Sequence, residues 1–168
     1  MSNLFPIVLE MKKLLRNLDG WLEKSVASAT LRKFDPNVLL QSRLAPDMFP
    51  LVRQIQSACD QAKFAAARTA GKDPPAHADT EQTVDELRRR IATVVAYLDE
   101  FRSADFDGAE TRTLSLPRWE GKSTTAAEYF VEYVMPNFFF HFTTAYAILR
   151  HNGVDIGKRD YLGPLPLR

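Results

Sequence analysis

The 168 residues contain a single cysteine, Cys59. That excludes an intramolecular disulfide framework, a cysteine-built zinc finger and a CxxC redox pair. Charge of one sign is also lacking: 22 Lys and Arg stand against 21 Asp and Glu, so electrostatic capture of nucleic acid is not the main design. No GxSxG elbow, HExxH or glycine-rich phosphate loop occurs, which leaves nucleophilic catalysis and phosphate binding without a signature. The opening stretch MSNLFPIVLEMKKLLRN has no basic segment ahead of its apolar part and no small-residue cleavage site. A reducing cytosol is the expected compartment, hence a cytoplasmic protein. From Tyr133 to Leu149 no charge occurs for 17 positions. This run is shorter than the roughly 20 apolar residues a membrane span needs, and it contains Pro136, Asn137, His141, Thr143 and Thr144. It reads as a central helix buried on most sides, with no membrane partner.

What is present is a chain that is 45% hydrophobic, enough for one globular domain over 1–168. Ile7, Met11, Leu14, Leu18 and Trp21 recur at three-four spacing and predict a helix over 3–30, weakened at Gly20 by about 1 kcal/mol. Phe34-Asp35-Pro36 breaks it, and 36–42 forms at most a short helical stretch. A second helix is expected to begin near Pro46-Asp47. Its stripe of Met48, Leu51, Ile55, Ala58, Ala62, Ala65 and Thr69 is bulky at the start and small at the end, and Gly71 to Pro75 closes it. Thr83-x-x-Glu86 has the capping-box form ahead of the stripe Val84, Leu87, Ile91, Val94, Leu98 and Phe101.

The stretch 103–122 is polar and broken by Gly108, Pro117 and Gly121. Within it, Thr111 to Leu116 is either a short strand or a segment lying over the helices. Thr125-x-x-Glu128 opens the last helix and Gly153 stops it. Pro136, inside that helix, predicts a kink and a carbonyl freed one turn earlier. The tail 154–168, with Pro164 and Pro166, is expected to be extended.

The histidines are His77, His141 and His151. His77 in the proline-rich loop reads as solvated, and His151 beside Arg150 as a helix-terminal residue. His141 and His151 lie roughly 15 Å apart along one helix at about 1.5 Å per residue, so they cannot share a metal ion. Asn137 and His141 project from one face at i, i+4, with Thr144, Ala145 and Ile148 continuing that face. On spacing alone His141 is a hydrogen-bonded core histidine. Cys59 is in phase with Ile55 and Ala62 and reads as a small buried side chain. Asp60 and Lys63 form either a surface ion pair or, through Asp60, part of a pocket near the bundle axis. Phe138, Phe139, Phe140 and Phe142 fall within five positions. One helix face cannot bury all of them, so some must meet 103–122, the tail or a second subunit.

The segments RLAPDMFPLVRQIQSACDQAK (43–63) and VMPNFFFHFTTAYAILRHNGVDIGKRDYLG (134–163), above all PNFFFH, TAYAILRHNG and GKRDYLG, closely resemble a bacterial family of domains of unknown function. It is number nineteen-ninety-three of that series, within the DinB/YfiT-like superfamily. The resemblance spans nearly the whole chain. It implies an all-α, DinB-like four-helix bundle with a long crossover between helices three and four, commonly associating as homodimers. Metal-binding members carry one histidine on helix two and an HxxxH pair on the last helix, followed by an aliphatic residue, Leu-Arg and a glycine.

Counting back from Leu149, Arg150 and Gly153, His141 falls on the second histidine of that pair and Asn137 on the first. Helix two has no histidine. The expected candidate pocket is therefore Asp60, Asn137 and His141, with His141 as the one obvious metal ligand and Asn137, Gln56 or Asp60 as weak oxygen donors. Such a set binds zinc or nickel poorly, so no cofactor is expected. The leading expectation is a metal-free bundle acting as a small-ligand-binding or dimeric interaction module. The alternative is a metal-dependent hydrolase or thiol-dependent transferase using zinc or nickel.

Overall fold

The computed structural model describes residues 4–167, so Asn3, where the periodicity starts the first helix, and Arg168 lie outside the described residues. Four helical rods pack around one apolar core. The first, α1 (Phe5–Arg32), buries Val8, Met11, Leu14, Leu15, Leu18, Trp21 and Leu22. Gly20 is tolerated because it lies off that stripe, where an added Cβ would meet nothing within 4 Å. A 3-10 turn follows at Pro36–Gln41, capped by the Asp35 side chain on the Asn37 amide.

The second rod, α2 (Leu51–Thr69), starts later than Pro46-Asp47. Pro50 holds the residue before it away from helical backbone and itself becomes the N-cap, its carbonyl accepting the first helical bond from Gln54 at 3.1 Å. Ala45 to Met48 make only a single turn. Of its neighbours, α2 makes its broadest contact with the last helix.

The third rod, α3 (Val84–Leu98), carries the expected capping box: Thr83 Oγ1 accepts from the Glu86 amide at 3.2 Å, and Glu86 Oε2 accepts from the Thr83 amide at 2.9 Å. Phe101 ends its stripe beyond the helix, buried against Phe106 at 6.3 Å between centroids.

The crossover is pinned to the bundle at several points. A two-residue antiparallel ladder pairs β1 (Thr113–Leu114) with β2 (Thr124–Thr125). The Arg112 side chain donates to the Thr69 carbonyl at the end of α2, and the Ala127 amide donates to the Ala109 carbonyl at 3.0 Å.

The last rod is composite. Thr125 and Glu128 form the second capping box over α4 (Ala126–Glu128), a π-helical stretch spans Tyr129–Val134, and α5 (Met135–His151) completes it. Pro136 therefore sits in the opening turn of α5. Its missing N–H falls where the ladder has already changed register, so a π turn replaces the expected simple kink. Gly153, at φ 83°, ends the rod, and the Val154 amide reaches back to the Leu149 carbonyl at 3.1 Å.

The tail is not simply extended. It forms the short helix α6 (Lys158–Leu162). Trp21 Nε1 donates to the Asp160 carbonyl at 3.1 Å and Asn17 Nδ2 to the Tyr161 carbonyl at 3.0 Å, which satisfies carbonyls of a helix too short to satisfy its own.

The tail answers part of the aromatic question. Phe138 and Phe142 are fully buried and stack at 5.6 Å, and Tyr161 packs on Phe142 at 4.9 Å. Phe140 stays 57% exposed. No helix among the described residues is long and apolar enough to cross a membrane.

Candidate functional site

The geometry around His141 is set by the antiparallel packing of α2 on α5. The His141 ring is buried between them, and its Nδ1 lies 2.7 Å from Gln54 Oε1. Gln54 Nε2 donates in turn to the Phe49 carbonyl at 3.0 Å. With the amide nitrogen committed to a carbonyl, its oxygen faces the imidazole and must receive a proton, so Nδ1 carries the hydrogen. The Nε2 lone pair is left without a partner among the described residues, yet it is not sealed from solvent.

Burial pushes the His141 pKa below its ordinary value, and the positive charge of Arg53 pushes it further the same way. The ring is therefore neutral at pH 7, with a fixed tautomer. Phe140 stands edge-on to it at 5.2 Å between centroids. Phe49, whose carbonyl anchors Gln54, is 53% exposed. Asn137 lies one turn before His141, half-buried.

Asp60 is engaged elsewhere. Its Oδ1 lies 2.7 Å from Arg90 Nη2 and 2.9 Å from Lys63 Nζ, and no hydrogen bond joins it to His141 among the described residues. The Asp60–Lys63 pair exists but is not a surface pair, because the Lys63 side chain is only 2% exposed. Gln56 also turns away from His141, donating to Glu81 Oε2 at 2.7 Å and accepting from Arg53 at 3.0 Å. His77 is not simply solvated: its Nδ1 lies 2.9 Å from Lys63 Nζ. Its pKa is lowered first by burial and then by the charges of Lys63 and Arg90, so the ring is neutral and accepts the ammonium proton. His151 is exposed at the end of α5. Cys59 is fully buried, and burial pushes its thiol up to about 12, which leaves no thiolate for chemistry at neutral pH.

The residue that spacing does not single out is Gln54. It lies three positions after Leu51 and four before Ala58, a polar side chain in phase with an apolar stripe, and that was the available signal. It takes the place facing His141 from α2, and its oxygen is spent on the imidazole proton. Among the described residues no group of three or more His, Cys, Asp or Glu side chains is placed to hold a metal ion. One neutral imidazole nitrogen with two amides is a poor donor set for zinc or nickel, so the residues present do not fit the superfamily metal.

Four helical rods, with α2 antiparallel to the last rod, α1 antiparallel to α3 and α2 parallel to α3, together with a long, pinned crossover, define a DinB-like helical bundle. The chain belongs to the family of domains of unknown function DUF1993, whose model matches residues 6–162. The fold is similar to the crystal structure of a DinB family member protein from Shewanella denitrificans. The two are 51% identical, the match covers 96% of this chain and 92% of that one, and the TM-score is 0.93. No functionally curated protein gives a significant match.

Proposed function

We propose that this domain is a metal-free DinB-like bundle that binds a small neutral ligand at His141. The observation carrying this reading is the chain of hydrogen bonds from the Phe49 carbonyl through Gln54 to His141 Nδ1. It commits the Gln54 oxygen, as acceptor, to holding one tautomer and leaves the Nε2 lone pair as an acceptor for a ligand. A ligand that suits it carries an O–H or N–H donor for Nε2 and an apolar face for the rims at Phe49 and Phe140. The Asn137 amide, one turn away, supplies a second polar contact.

A ligand-observed NMR screen of neutral fragments against wild type and His141→Ala tests this. Binders lost in the variant are expected; hits that bind both proteins equally, or no hits, reject the site. Metal analysis separates the alternative of a metal-dependent hydrolase or thiol-dependent transferase. Stoichiometric zinc, nickel or manganese that survives dialysis and disappears in His141→Ala would overturn the metal-free reading. Self-association through exposed apolar side chains of the last rod, Val131, Tyr133 and Phe140, is the second part of the proposal, since such groups mark contact surfaces.

A further inference from the structure

Residues 73–82 cross the outer face of α2 and α3 as a strap that makes no backbone–backbone hydrogen bond among the described residues. Side chains hold it. Glu81 Oε1 lies 3.1 Å from Arg90 Nη1, and its Oε2 accepts from Gln56 at 2.7 Å. Asp79 Oδ1 lies 3.5 Å from Arg90 Nη2, and its Oδ2 lies 2.5 Å from Arg53 Nη1. Arg90 Nη1 also reaches the Ala78 carbonyl at 3.4 Å. Each strap carboxylate thus bridges two helix side chains, and both share one guanidinium.

The helices underneath contribute three cations, Arg53, Lys63 and Arg90, against the single anion Asp60. Two of those cations, Lys63 and Arg90, have side chains only 2% exposed. Burying an uncompensated charge is costly, and here the two strap carboxylates complete the neutralisation. Arg90 Nε is nevertheless buried with no hydrogen-bond partner among the described residues, so the guanidinium is not fully satisfied with the strap in place.

We propose that the face formed by Arg53, Gln56 and Arg90 is a binding site for a small dicarboxylate, with Asp79 and Glu81 of the strap acting as its tethered occupants. Two carboxylate positions already exist, each with a pair of donors, and charge-assisted contacts of this kind are the strong ones. Tethering gives the strap a high effective concentration, so a free ligand must displace it, and binding lifts the strap. This site is independent of the His141 reading.

The full chain and succinate as probe test it. Calorimetry on Asp79→Asn/Glu81→Gln, which vacates both positions while preserving shape, is expected to give saturable one-to-one binding at least tenfold tighter than wild type. Acetate at equal ionic strength should give none. Equal affinity in variant and wild type, or equal binding of acetate, overturns the proposal.

If the double variant does not fold, wild type decides. Cleavage after Glu81 by a glutamate-specific protease should accelerate at least threefold with succinate, saturably, relative to sodium chloride of matched ionic strength. An identical rate in the two salts overturns the proposal.

Discussion

Gln54 and His141 are 87 positions apart in the chain and 2.7 Å apart in the fold. The amide fixes the tautomer of the imidazole as an outer hydrogen-bond partner fixes a metal-bound histidine. Gln54→Leu keeps the volume and removes the acceptor. The neutral His141 then loses its preference for hydrogen on Nδ1, and long-range 15N–1H correlation should show the Nε2–H form gaining. The orphaned Nδ1–H also costs about 1–3 kcal/mol of stability, readable by urea denaturation. An unchanged tautomer in Gln54→Leu would sink the relay.

The pH dependence follows from the same ring. Its folded pKa is depressed by burial and by Arg53, so the unfolded chain binds the proton more readily. The stability that comes from keeping His141 neutral is fully present above the unfolded value of about 6.5 and is lost as pH falls from there toward the folded value. The His77 ring, also depressed, acts in the same direction. The urea midpoint should fall between pH 7 and pH 5, and His141→Gln should flatten that fall. A midpoint that rises on acidification over this range would contradict the assignment.

Helix α1 carries an avoidable weakness at Gly20. An added Cβ there touches nothing within 4 Å, and the residue has ordinary helical backbone rather than positive φ. Gly20→Ala should stabilise the domain by about 0.5–1 kcal/mol, raising Tm by about 1–4 °C at this chain length. A lowered Tm would contradict the open surroundings of Gly20.

Ile91 lies in the α3 seam at 2% exposure. Ile91→Leu conserves volume and should leave cooperative melting intact at a cost under about 1.5 kcal/mol. Ile91→Asp buries an unpaired charge in the same place and should abolish the folded state. Cooperative thermal melting of Ile91→Asp would refute the register.

Light scattering tests self-association. A particle of twice 19.1 kDa at micromolar concentration, reduced to one chain by Phe140→Ser, is the expected result. A 19.1 kDa particle unchanged on dilution would reject the dimer.

What the sequence made legible was local. Both Thr-x-x-Glu boxes close within one turn, so they are written in four residues, and Val84, Leu87, Ile91, Val94 and Leu98 carry their own period. α2 starts at Leu51 and not at Pro46, because Pro46 suits a first turn only in isolation, whereas Pro50 constrains the residue before it more strongly. His77 reads as solvated, and Asp79 and Glu81 are not singled out at all, because nothing within 73–82 reveals which helix side chains lie beneath. The clue stood on α3: Arg90 follows Leu87 by three and precedes Val94 by four, a cation on an apolar stripe, and such a residue needs partners from elsewhere. The partner of His141 was out of reach for a similar reason, since only the packing of α2 on α5 chooses Gln54 over Gln56 or Asp60.

The π-helical stretch at Tyr129–Val134 gives the final rod a spare residue. A π turn holds one residue more than the α-helical ladder would, so the turns on either side keep the faces they would have in a helix one residue shorter. Deleting one exposed residue of the stretch, such as Val131, would let the ladder close into a continuous α-helix with α4 and α5 still in phase. In laboratory evolution or loop-grafting on this scaffold, residues 129–134 are thus the segment of the last rod where a single deletion is absorbed, whereas a deletion within α5 would turn every later side chain by about 100°.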